Sequence, residues 1–247
     1  MRNITFELCA ETLQACLAAR EGGADRIELC SALSEEGLTP SHAFIKAAIE
    51  RSGLPVHVLL RPRAGDFLYS EVEFALMRED LVHARSLGAS GFALGLLHAD
   101  GTVDVERTRE LVKLAAPLEV TFHRAFDLTP SLDAALEDVI VAGCKRVLTS
   151  GGAPDVVAGA GRLARLVERA AGRIDIAVGG GLRLDNAGRV ARATRAHHFH
   201  GSMRGRLEPP PEDAVPRLFN TEYVVDPDDI RRVVKALRES DESSART

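Results

Sequence analysis

Phe6-Glu7-Leu8-Cys9 and Ile27-Glu28-Leu29-Cys30 are near-duplicates, and each closes a short run in which apolar and polar residues alternate. Side chains alternate faces along a strand, so Glu7 shares a face with Cys9, and Glu28 with Cys30. The pattern predicts strands at Ile4–Cys9 and Arg26–Cys30. Six further runs rich in Val, Ile, Leu and Phe lie at Val56–Arg61, Gly91–Leu96, Glu119–His123, Arg146–Thr149, Ile174–Val178 and Ala196–His200. After each comes a stretch of helical period, starting near Thr12, Ser41, Ser70, Val105, Ser131, Asp155, Leu184 and Pro227. Eight strand–helix repeats predict an α/β protein with a parallel sheet. An open doubly wound sheet would gather its ligand groups at one switch point. Here Glu28, Arg61, His123, Asp127, Ser150, Gly179, Gly180, Gly181, His200 and Ser202 follow or end six different strands, which suits a closed ring. The expectation is a single (β/α)8 TIM barrel over residues 1–239, with a polar tail at 240–247 and a long connection at Gly205–Tyr223 that contains Pro209, Pro210 and Pro211.

The bulk numbers agree with one large domain. The chain has 247 residues, 45% hydrophobic, and eight βα units in that length match the usual barrel of roughly 250. With 27% charged residues and a formal net charge of -5, it lacks the basic footprint that nucleic acid or an anionic membrane would select. No apolar run approaches a membrane span, and the N-terminal residues enter a strand without a leader-like pattern. A cytoplasmic protein is expected. Four cysteines in a long chain read as thiols rather than a secreted disulfide framework. Nothing implies an organic cofactor, and the oligomeric state is open, a homo-oligomer included.

If the shared faces of Glu7, Cys9, Glu28 and Cys30 line the barrel interior, two thiols converge on adjacent strand ends. Two thiolates suit a soft ion such as Cu(I); a free Cys also serves as a small core hydrophobe. Arg61, in the turn after the third strand, offers a fork of donors for Glu28 or for an anionic ligand, or a permanent salt bridge at the mouth. Thr121-Phe122-His123-Arg124-Ala125-Phe126-Asp127 places a His at a strand end with an Asp four residues on, the raw material of acid/base chemistry or metal ligation. Glu28, Arg61, His123 and Asp127 are the candidate catalytic residues. Ser150 and Gly151, then Gly179, Gly180 and Gly181, then Ser202, form turns where amides can approach phosphate, although glycines also simply permit tight turns. Cys16 and Cys144 are expected bystanders, and His42, His57, His83 and His98 receive no role.

Several segments together resemble the CutC family, described as copper homeostasis proteins. They are Arg26-Ile27-Glu28-Leu29-Cys30, Gly37-Leu38-Thr39-Pro40-Ser41, Arg61-Pro62-Arg63, Gly65-Asp66-Phe67, Thr121 to Asp127, Leu148-Thr149-Ser150-Gly151, Gly179-Gly180-Gly181 and His200-Gly201-Ser202. The resemblance spans about residues 3 to 240. It implies a cytoplasmic TIM barrel associated with copper, with Cys9 and Cys30 as Cu(I) ligands. Leu59-Leu60 stands where the family commonly reads Met-Ile, a volume-conserving change. The polar mouth also fits an enzyme acting on a small anionic or phosphorylated metabolite. Copper ion or a small anion is therefore the expected partner.

Overall fold

Helices begin where a hydroxyl can satisfy a free backbone amide. In the computed structural model, which describes residues 4–206 and 223–244, the side chains of Thr12, Ser41, Ser70 and Ser131 each accept from the amide three residues on. Gly23, Gly53 and Gly143 end three of those helices in the left-handed conformation that glycine adopts without strain.

Among the described residues the eight α-helices are α1 (Leu13–Gly22), α2 (His42–Ser52), α3 (Glu71–Ser86), α4 (Val105–Ala115), α5 (Leu132–Ala142), α6 (Ala160–Ala170), α7 (Leu184–Thr194) and α8 (Pro227–Ser244). The strands are β1 (Thr5–Ala10), β2 (Arg26–Leu29), β3 (Val56–Leu59), β4 (Gly91–Leu94), β5 (Glu119–Phe122), β6 (Arg146–Thr149), β7 (Asp175–Gly179) and β8 (His198–Gly201). They pair in chain order and β8 returns to β1, closing a parallel barrel. The expected (β/α)8 TIM barrel is the observed one.

Differences are local. The helix expected near Asp155 starts at Ala160, because the Asp155 carboxylate instead caps the amides of Val157 and Ala158 in a turn. A small antiparallel ribbon, β9 (Arg204–Arg206) with β10 (Tyr223–Val225), lies outside the barrel and was not anticipated. Of the connection expected at Gly205–Tyr223, residues 207–222 lie outside the described residues. Helix α8 runs through Ser244, past the expected tail boundary at 240; residues 245–247 also lie outside the described residues.

The main core sits between sheet and helices. Alternate strand residues such as Phe6, Leu8, Ile27, Leu29, Phe92, Phe122, Val147 and Phe199 belong to one apolar cluster with the inner helix faces. The other alternation faces inward, and there the apolar cluster is small, Cys9, Cys30, Leu59 and Ala93 with Leu33 against them, while Leu148 lines the cavity apart from it. Most other inward positions carry charge or hydrogen-bonding groups: Glu7, Arg26, Glu28, His57, Thr121, Arg146 and His200 are all buried. Buried polar groups persist only when matched. Arg26 Nε donates to Glu7 at 2.5 Å, and Arg146 donates to Thr121 at 3.1 Å and Glu119 at 3.0 Å.

The helical ring closes where α8 meets α1, at Gly22. A Cβ there would stand 2.4 Å from Ile230 Cβ and 2.8 Å from the Pro227 carbonyl. Gly22→Ala is therefore expected to cost about 1–3 kcal/mol, as overpacking does. A thermal melt checks it; an unchanged Tm would show that α8 does not seal this seam.

Candidate functional site

Register assembles the site. Pairing of β1 with β2 sets Glu7 beside Arg26 and Cys9 beside Glu28, while pairing of β1 with β8 sets Glu7 beside His200. Side chains one pleat further up form the floor of a cavity of about 920 Å³ at the C-terminal strand ends, lined by Cys9, Glu28, Arg61, Phe67, His123, Arg124, Asp127, Gly180, Gly181, His200 and Ser202 among others.

The two thiols do converge. Cys9 Sγ lies 3.7 Å from Cys30 Sγ, donates to Glu28 Oε1 at 3.5 Å, and Cys30 Sγ approaches the Ala10 carbonyl at 3.8 Å. Cys30 is completely buried, whereas Cys9 faces the cavity. His200 joins them: ligand atoms of Cys9, Glu28 and His200 lie within 4.8 Å of one another. His200 Nδ1 is 2.8 Å from Glu7 Oε1 and its Nε2 is 3.8 Å from Glu28 Oε1.

Charges here are set by neighbours. Burial opposes ionisation of Glu7, but Arg26 and His200 overrule it and hold the carboxyl well below the ordinary glutamate range. Burial likewise opposes the His200 imidazolium, and Glu28, Cys9 and Glu7 together raise it well above the usual histidine value. Glu28 moves up, because burial and Glu7 outweigh the pull of His200. The hydrogen bond with Cys30, then burial, hold Cys9 as a thiol well above its normal range. His123 goes the other way: burial and the nearby Arg61 push it down to about 3, so the ring is neutral.

Several expected site residues have occupied side chains. Arg61 forms no salt bridge with Glu28; its Nη1 donates to the carbonyls of Glu35 (2.5 Å) and Gly37 (2.9 Å), and Nη2 to Gly65 (2.9 Å), stapling two loops of the mouth. Asp127 accepts from Thr149 Oγ1, Arg124 Nε at 2.9 Å, Ser150 Oγ at 3.0 Å and the amides of Ser150 and Gly152. The Gly151 amide is bound to Thr149 Oγ1 at 2.8 Å. The three amides after β6 are thus already used within the turn. Gly180 and Gly181 have φ of 103° and 77°, and a Cβ on Gly180 would press on the Arg124 guanidinium at 3.1 Å. Ser202 is half-buried at the cavity wall. Cys16 and Cys144 are buried away from this mouth, their thiols pushed up to about 12 by burial. His42 and His83 bond to each other on the surface, at 2.8 Å.

Glu7, Arg26 and His200 were not singled out as site residues. The signal was available in part, since Glu7 duplicates Glu28 and His200 ends the strand that ring closure places beside β1.

A closed parallel barrel with a polar, thiol-bearing mouth defines the class of protein. The chain belongs to the CutC family, whose sequence profile matches residues 4–205. Similar proteins include a family protein CutC of Chromobacterium violaceum, 51% identical over 82% of each chain. One from Bacteroides thetaiotaomicron is 43% identical over 84% of each chain. The solved CutC structure from Streptococcus agalactiae superposes with a TM-score of 0.76 at 32% identity, over 81% of this chain and 98% of that one. An N-(5'-phosphoribosyl)anthranilate isomerase from Pyrococcus furiosus, 15% identical with a TM-score of 0.58, shares the fold.

Glu7→Gln is expected to cost about 3–5 kcal/mol near pH 6, because it leaves Arg26 and His200 buried without their counter-charge. A carboxyl with a depressed folded pKa contributes stability above its ordinary value of 4.5, and that stability is lost as pH falls through the folded value. The gap between wild type and variant in urea unfolding should therefore narrow in acid; a gap independent of pH would contradict an ionised Glu7.

Proposed function

We propose that this chain is a cytoplasmic copper-handling protein that takes Cu(I) as cargo at Cys9 and Cys30, with His200 as a third donor. The observation that carries this reading is the 3.7 Å approach of the two Sγ atoms beside a cavity, with His200 and Glu28 at hand. Soft thiolates with one imidazole suit a soft monovalent ion, whereas a hard ion would choose a richer set of carboxylates. The name under which the Streptococcus agalactiae relative was solved assigns that protein, as a candidate, to copper homeostasis. Among the described residues no helix is long and apolar enough to cross a membrane.

Ligation requires deprotonated thiols and a neutral imidazole, and Cys9 and His200 both hold their protons more firmly than usual. Cu(I) uptake should release protons, and apparent affinity should rise with pH. Competition against a Cu(I) chelator under anaerobic conditions checks this. Cys9→Ser and Cys30→Ser should each lose at least tenfold in affinity, and Cys144→Ser should match wild type. Equal competition by all four proteins would end the copper reading.

A second reading is favoured by the size of the cavity, about 920 Å³, which exceeds what one ion needs. Arg61 and Arg183 line it without a carboxylate partner among the described residues. In this reading the mouth binds a small anionic metabolite and acts on it, with Glu28 and His123 as the groups that meet it.

A further inference from the structure

The His123 imidazole is fixed in one tautomer. Its Nδ1 accepts the Ala125 amide at 3.1 Å, so in the neutral ring the hydrogen sits on Nε2, and that N–H has no partner among the described residues. Arg61 has a similar vacancy. Three backbone carbonyls occupy its Nη groups, and Nε, also buried, makes no hydrogen bond among the described residues, nor does the Tyr69 hydroxyl that this guanidinium approaches. Both side chains flank Phe67: the His123 ring centroid is 4.9 Å from the Phe67 centroid, and Arg61 Cζ is 5.0 Å from it. All three residues line the cavity. Gly95 leaves the room for His123, since a Cβ there would stand 2.5 Å from the imidazole.

Buried donors in native proteins are nearly always matched, and two unmatched donors around one aromatic ring mark the place of an absent acceptor. The donors supply one formal positive charge between them, because the imidazole is neutral. That suits a carbonyl or carboxylate oxygen. A phosphate dianion needs more donors, and the amides after β6 are spent on Asp127 and Thr149.

We infer that His123 and Arg61, against Phe67, form a pocket for the carboxylate of a small organic acid. The inference deepens the small-anion reading of the mouth and is independent of copper. His123 acts here as a neutral hydrogen-bond donor, able to hold negative charge that develops on the bound oxygen.

The test uses the metal-free full chain with pyruvate, oxalate and inorganic phosphate as probes. In ¹⁵N-labelled protein the His123 Nε2–H signal is assigned by its loss in His123→Phe. Pyruvate and oxalate should shift it saturably, and calorimetry should show binding at least tenfold weaker in His123→Phe. His123→Gln, which keeps an N–H donor, should recover part of that loss, and thermal melts confirm that both variants are folded. Pyruvate or oxalate binding that leaves the His123 signal unmoved and survives His123→Phe overturns the pocket while sparing the small-anion reading. A phosphate-induced shift as large as that from pyruvate overturns the assigned class. No binding of any probe overturns both.

Discussion

One buried carboxylate ties the barrel shut. Glu7 stands on β1 and bonds to Arg26 on β2 and to His200 on β8, so a single ion spans both joints of the strand at which the ring closes. An isolated charge at that depth would be too costly to keep; this one persists because two cations surround it. Its removal would disturb the floor of the mouth as well as the seam, since the imidazole it holds is the one that touches Glu28 and stands beside Cys9.

The interior follows from that constraint. TIM barrels commonly fill their centre with bulky branched side chains. Here the apolar packing lies almost wholly between sheet and helices, and the centre is a polar network with a small apolar patch around the thiols. Two histidines only a few strands apart take opposite states as a result. His200, between carboxylates, is held protonated, and His123, by burial and then by the guanidinium beside it, is held neutral. The same fold thereby presents a cation on one side of its mouth and an uncharged donor on the other.

Strand order, most helix starts and the positions of Glu28, Arg61, His123 and Cys9 at strand ends were legible in the sequence, because they depend on local alternation and on caps that sit within a few residues of what they bind. Occupancy was not. Asp127 looks like a catalytic carboxylate beside His123, and only the folded chain shows that Thr149, Ser150, Gly152 and Arg124 already claim it. Arg61 looks poised for Glu28, yet the carbonyls of Glu35 and Gly37, in the loop after β2, and of Gly65, four residues on, hold it. Glu7 and His200 are 193 positions apart, and no local pattern reveals their pairing.

That separation has a cost during synthesis. β1 is the first strand of the barrel to be translated, and one of its two hydrogen-bonding edges belongs to β8, the last. Until then the nascent sheet has an open edge carrying Glu7 and Cys9 with half their partners missing. Pairings so distant in sequence form slowly, and exposed edges invite association. A ribosome-bound chain of this protein must therefore keep that edge unpaired until β8 has been made, which makes the interval between synthesis of the two strands the vulnerable one.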